Sequence, residues 1–171
     1  MKEIELVFNI VHYFVYRADY RAHLFFKRIN PIMLIHKLPF QKRLYERKGI
    51  DIYEEMNSSF KDPKYGLSSM RAGGFMFILS LLFSLFIFCL LVSLNKDYLP
   101  GFVIFLVAFP FALLTYYLLF YKDKYLGYFK VFEAKPPKWK KKWGWVSFGI
   151  VLAIIALLIL GGIIMTYSLH H

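Results

Sequence analysis

Three stretches of more than twenty residues carry no charged side chain: 73–94, 99–121 and 146–167. A helix rises about 1.5 Å per residue, so runs of about 22 residues match the roughly 30 Å of hydrocarbon in a bilayer. In lipid every backbone N–H and C=O must pair within its own segment, so isolated runs of this length read as helices. The expected fold class is therefore an all-α membrane protein, with three transmembrane helices preceded by a cytoplasmic amphipathic helical region. Composition agrees: 58% of residues are hydrophobic, the mean hydropathy is +0.48, and soluble domains run nearer about 45–50% apolar.

The segments between the runs set an expected topology. Asn95, Lys96, Asp97 and Tyr98 form a very short loop, so the first two helices should make an antiparallel hairpin. Residues 122–144 carry eight lysines and two acidic residues, and residues 1–71 carry thirteen Lys and Arg and eight acidic residues. The positive-inside rule then places residues 1–71 and the basic linker 122–145 in the cytoplasm. The remaining parts are the hairpin of residues 72–121 and the helix and short tail of 146–171, with the C-terminus outside and a bacterial inner membrane as the expected location. Residues 1–5 include Glu3 and Glu5 and show no cleavage site, so the first helix is expected to act as the insertion signal.

The linker also carries the expected membrane-interface anchors. Trp139, Trp143 and Trp145 are interleaved with Lys138, Lys140, Lys141 and Lys142, while Tyr116, Tyr117 and Tyr121 close the second run. Indole and phenol rings favour the headgroup level, and lysines reach it with their long stems. Pro136 and Pro137 should keep the linker from running helical straight into the third span. The net charge of +11 thus points to anionic lipid headgroups as partners. Nucleic acid is the weaker reading, because a span boundary already explains the tryptophans among those lysines.

Within the spans, Pro110 should kink the second helix. Gly149, Ala153 and Ala156 share one face of the third and are the expected helix-packing residues. Residues 3–29 show helical periodicity, with Ile4, Val7, Phe8, Val11, Phe14, Val15, Phe25 and Phe26 on one stripe and Glu5, Asn9, His12, Asp19 and His23 off it. The helix should end at Pro31, and the expected docking face is Val7, Phe8, Val11, Phe14, Val15, Phe25 and Phe26. A short apolar stretch, 32–35, comes next. A basic helix after Pro39 should be ended by Gly49, and residues 50–70 read as acidic and then loop-like, with Asp62-Pro63 and Tyr65-Gly66 as turn signals.

Chemistry is sparse. The spans contain no Asp, Glu, Lys, Arg or His, the groups that proton relays and ion-coupled transport ordinarily use. Cys89 is the only cysteine, which excludes an intrachain disulfide and a cysteine cluster. His12, Asp19 and His23 share one side of the first helix, but imidazole and carboxylate at such spacing are common on solvated faces, so no metal site is expected. No catalytic residue and no cofactor is expected. The expected function is a non-catalytic integral membrane subunit or scaffold of a multi-protein complex of the secretion, conjugation or energy-transducing kind, with other membrane subunits as partners. Two alternatives are a self-assembling pore-forming or membrane-disrupting protein of holin or toxin type, and a membrane enzyme with a cytoplasmic site.

Overall fold

The computed structural model describes residues 2–29, 38–49, 51–95 and 99–170, which are helical with no strand among them. In chain order the helices are α1 (Lys2–Ile29), α2 (Pro39–Lys48), α3 (Ile52–Lys61), α4 (Leu67–Asn95), α5 (Val103–Thr115), α6 (Lys124–Glu133) and α7 (Pro137–His170). A π-helical turn, Tyr116–Phe120, and a 3₁₀ turn, Tyr121–Asp123, join α5 to α6. Three helical stretches are long and apolar enough to cross a membrane: Leu67–Asn95, Val103–Glu133 and Pro137–His170. The expected stop at Pro31, the apolar stretch 32–35 and most of the first loop, 96–98, lie outside the described residues.

The chain divides into two compact units. One comprises residues 1–14 and 74–171. The other comprises residues 15–73.

In the first unit, α4 and α7 meet at a glycine. A Cβ on Gly161 would stand 2.8 Å from Cδ2 of Phe86 and 3.3 Å from Cβ of Cys89, so a side chain there would have to push the Phe86 ring aside. Gly149, Ala153 and Ala156, the expected helix-packing residues, are exposed in the single chain, and nothing lies within 4 Å of a Cβ built on Gly149. Intrachain close packing of α7 thus falls at Gly161. Pro110 lies inside α5 as the sequence requires.

Hydroxyls in the membrane-length helices are mostly consumed by hydrogen bonds. Ser80 and Thr115 bond to each other across α4 and α5. Ser84 and Thr115 donate to carbonyls one turn back, as do Ser93 and Thr166. Ser168 donates to the Ser93 carbonyl at 2.7 Å, tying the end of α7 to α4. Bonds of this kind satisfy polar groups where water is scarce.

The π turn and the break after it end the α5 stretch where charge begins. Lys122 (φ 58°) and Asp123 (φ 53°) both take up left-handed backbone, a conformation costly for residues bearing a Cβ. The basic linker is itself helical. Pro136 and Pro137 do separate α6 from α7, but α7 begins at Pro137 and runs unbroken through Lys138–Lys142 to His170. Proline at the first helical position has no N–H to lose and a pre-set φ, so the pair starts this helix rather than holding the linker out of it.

In the second unit, α3 is a ten-residue helix where the sequence reads as loop. Asp51 begins it, accepting the backbone N–H of Glu54 at 3.2 Å, an N-cap contact. Gly49 closes α2 with φ 63°, as expected of a C-terminal glycine. The turn before α4 is built on Asp62, whose carboxyl accepts N–H groups of Tyr65 and Lys64 and is held below the usual carboxylate range by them. Here α1 meets α3 through His23, stacked on Phe60 at 3.6 Å. Lys27 donates to Asn57 at 2.9 Å, Tyr16 donates to the Lys61 carbonyl, and Asp19 pairs with Arg71 at 3.6 Å.

Candidate functional site

The most chemically elaborate region of the first unit is the seam between the start of α1 and the chain running from the π turn through α6. It begins at Glu5. The Glu5 carboxylate takes Lys124 Nζ at 3.0 Å and the Tyr128 hydroxyl at 3.2 Å. One turn on, Asn9 donates its side-chain amide to the Leu118 carbonyl at 3.1 Å and to its own helix's Glu5 carbonyl at 2.8 Å. Asn9 thus binds a carbonyl in the π turn just before the left-handed backbone of Lys122 and Asp123. The Asn9 Oδ1 is buried and meets no donor among the described residues.

Further along, His12 is fully buried among the rings of Phe129, Tyr125 and Phe120, with centroids 5.1, 5.4 and 5.7 Å away. Tyr13, also buried, packs on Phe129 and Phe132 and donates its hydroxyl to the Glu133 carboxylate. Glu5, Asn9, His12 and Tyr13 fall at spacings of three and four, which places them on one side of the helix.

That side is the polar one. Residues 9–13 are all at most 2% exposed, and five consecutive residues at about 100° each pass once round the helix, so α1 is enclosed there. Of the apolar stripe, Val11 is buried, Phe8, Phe14 and Val15 are half-buried, and Val7, Phe25 and Phe26 are exposed, as is Ile4. The face that docks within this chain is therefore built on hydrogen bonds and aromatic rings. Periodicity alone assigns the polar stripe to solvent. What it omits is that Asn, His and Tyr at one helical spacing also make a bonded interface.

The expected membrane-interface anchors separate into two groups. Trp139 stacks on Phe132 at 5.3 Å, touches Phe14 and lies 6.0 Å from Trp143. A Cβ built on Gly144 would meet the Phe14 ring at ordinary contact distance. Trp139 and Trp143 therefore close the seam from the α7 side, whereas Trp145 is 67% exposed. Lys140 reaches back to Glu133, 3.6 Å from its carboxylate and 2.6 Å from its carbonyl. Lys138, Lys141 and Lys142 are exposed.

Among the described residues no three His, Cys, Asp or Glu side chains are placed to hold a metal ion. The seam holds the start of α1 by a salt bridge, a bond to the Leu118 carbonyl and an aromatic core. Compared with known proteins, the chain matches no family model, no curated protein and no solved structure.

Proposed function

We propose that this chain is a multi-pass protein of a bacterial inner membrane and acts as a non-catalytic subunit that holds partner membrane chains together. The N-terminus and the lysine-rich segment lie in the cytoplasm and the C-terminus outside. The exposed apolar residues at the start of α1, Ile4 and Val7, lie at the inner membrane surface. The observation that carries this reading is α7, in which only Ser147 and Gly161 are buried although the helix runs for 34 residues. Its face of Gly149, Ala153 and Ala156 is open, and small residues let a second helix approach closely in lipid, where association rests on packing rather than on the hydrophobic effect. The engaged hydroxyls of the spans favour a scaffold over a conduit, because a polar pathway needs groups turned towards the permeating species. The seam on α1 supports it too, since a scaffold needs a rigid cytoplasmic end.

The test is the size and composition of the gently solubilised particle, read with one variant. The native chain should migrate with other polypeptides. Ala153→Trp should release them while leaving the unfolding temperature of the isolated chain unchanged. A monomer with no companion chain, or an Ala153→Trp particle identical to the native one, overturns the proposal. Orientation is tested separately with single reporter fusions at the two ends: a C-terminal reporter active only on the cytoplasmic side should be silent.

A further inference from the structure

Beside the seam lies an open groove of about 530 Å³, within the roughly 300–1,000 Å³ typical of small-molecule sites. Leu6 and Ile10 of α1 form one wall, Val131 and Phe132 of α6 the opposite one, and Trp139 and Trp143 of α7 the end. The lining carries one charged group, Lys135. Gly127 leaves part of the α6 side without a side chain, and nothing lies within 4 Å of where its Cβ would be.

We propose that this groove is a binding site for an anionic phospholipid, with an acyl chain along the apolar walls and the phosphate at Lys135. The occupant is identified by the match of chemistry. A ligand that fits must be apolar over most of its length and anionic at one end. Lys140 is already neutralised by Glu133, but among the described residues Lys135, Lys138, Lys141 and Lys142 have no carboxylate partner. This lysine-rich end of α7 supplies positive charge where a phosphate would sit, at about 1 kcal/mol of attraction per lysine near a membrane surface. The tryptophans at the groove's end belong at headgroup depth, which is where a lipid's glycerol and phosphate also lie. The inference rests on the membrane placement under Proposed function and is independent of the subunit role.

The full chain is inserted into nanodiscs of phosphatidylglycerol and phosphatidylcholine in equal parts, with identical acyl chains. It is then released, and the lipid it retains is weighed by native mass spectrometry. The native chain should retain phosphatidylglycerol over phosphatidylcholine by about fivefold or more, the ratio equivalent to one lysine contact. Gly127→Trp fills the groove from a position with open space and should abolish retention. Lys135→Gln should keep lipid in the groove but lower the preference about fivefold. Equal retention of the two lipids by the native chain overturns the site. So does unchanged retention in Gly127→Trp, an unchanged preference in Lys135→Gln, or a retained mass equal to a second copy of the chain. If Gly127→Trp unfolds, the Lys135→Gln preference decides. A chain that fails to enter nanodiscs overturns the membrane placement and the site together, whereas an inserted chain without lipid preference overturns the site alone.

Discussion

The side-chain amide of Asn9 stands 3.1 Å from the carbonyl of Leu118, a residue 109 positions further along the chain. This bond joins the start of α1 to the π turn at the end of the α5 stretch, and it is made where Asn9 is wholly buried. Asn9→Ala should destabilise the folded chain by about 1–3 kcal/mol, the usual cost of leaving a buried acceptor without its donor. Asn9→Asp should cost more, because a carboxylate would face two carbonyls with nothing to donate. Thermal unfolding in detergent measures both, and an Asp variant as stable as the native chain would show that the contact contributes nothing.

Glu5 and Lys124 form the ion pair at the edge of the seam, with 20% and 24% of their side chains exposed. Most of each group is out of water, so the pair should couple more strongly than a surface bridge. In a double-mutant cycle with Glu5→Gln and Lys124→Met, the interaction energy should lie at about 0.5–3 kcal/mol. Strict additivity of the two changes would show that the two residues do not hold α1 to α6.

Gly161 can be tested with the protein's only native cysteine. The built Cβ of residue 161 stands 3.3 Å from Cβ of Cys89, just under the roughly 3.5–4.5 Å range of disulfides. Mild oxidation of Gly161→Cys should therefore lock α4 to α7 and protect both thiols from maleimide. Gly149→Cys should leave Cys89 unlinked. Crosslinking in the second variant and none in the first would place the close approach of the two helices elsewhere.

His23 predicts a dependence on pH. Burial lowers its pKa from the ordinary 6.5, the charge of Lys27 lowers it further, and Asn57 and Asp19 oppose the shift. Because the folded value is depressed, the unfolded chain binds the proton first as pH falls. The stability carried by the neutral His23 is thus fully present above the ordinary pKa and is lost as pH drops through the lowered one. Between about pH 7.5 and about pH 5.5 the native chain should lose more thermal stability than His23→Phe, which keeps a ring against Phe60 but cannot titrate. Equal losses in the two proteins would show that His23 does not carry the effect.

Much of the fold was legible because the signals were long. Runs of some 22 uncharged residues allow one secondary structure in lipid, and a helix long enough to cross a membrane falls on each of the three, though the second begins at Val103 rather than at residue 99. The short signals were less legible. Asp51 with Glu54 three residues on is the start of a helix, yet the acidic residues around it read equally as loop. The left-handed pair Lys122 and Asp123 could not be foreseen, since neither is glycine, the residue that ordinarily marks such backbone. The seam was hidden for a different reason. Helical periodicity reports which residues share a side, and Glu5, Asn9 and His12 do share one. It does not report which side the rest of the chain will cover, because that depends on bonds to Leu118, Lys124 and Tyr128 more than a hundred residues away.

That distance also sets a schedule. At about 5–20 residues per second of synthesis, roughly 5–25 s pass between the appearance of α1 and the appearance of the residues that enclose it. Throughout that interval Asn9, His12 and Tyr13 have no core to enter, and Val11 and Ile10 have only the membrane surface or a chaperone to cover them. The start of α1 is therefore seated late, although its later residues already have α3 to pack against. A nascent chain stopped short of Leu118 should leave residues 9–13 exposed to protease, and one extended past Glu133 should not.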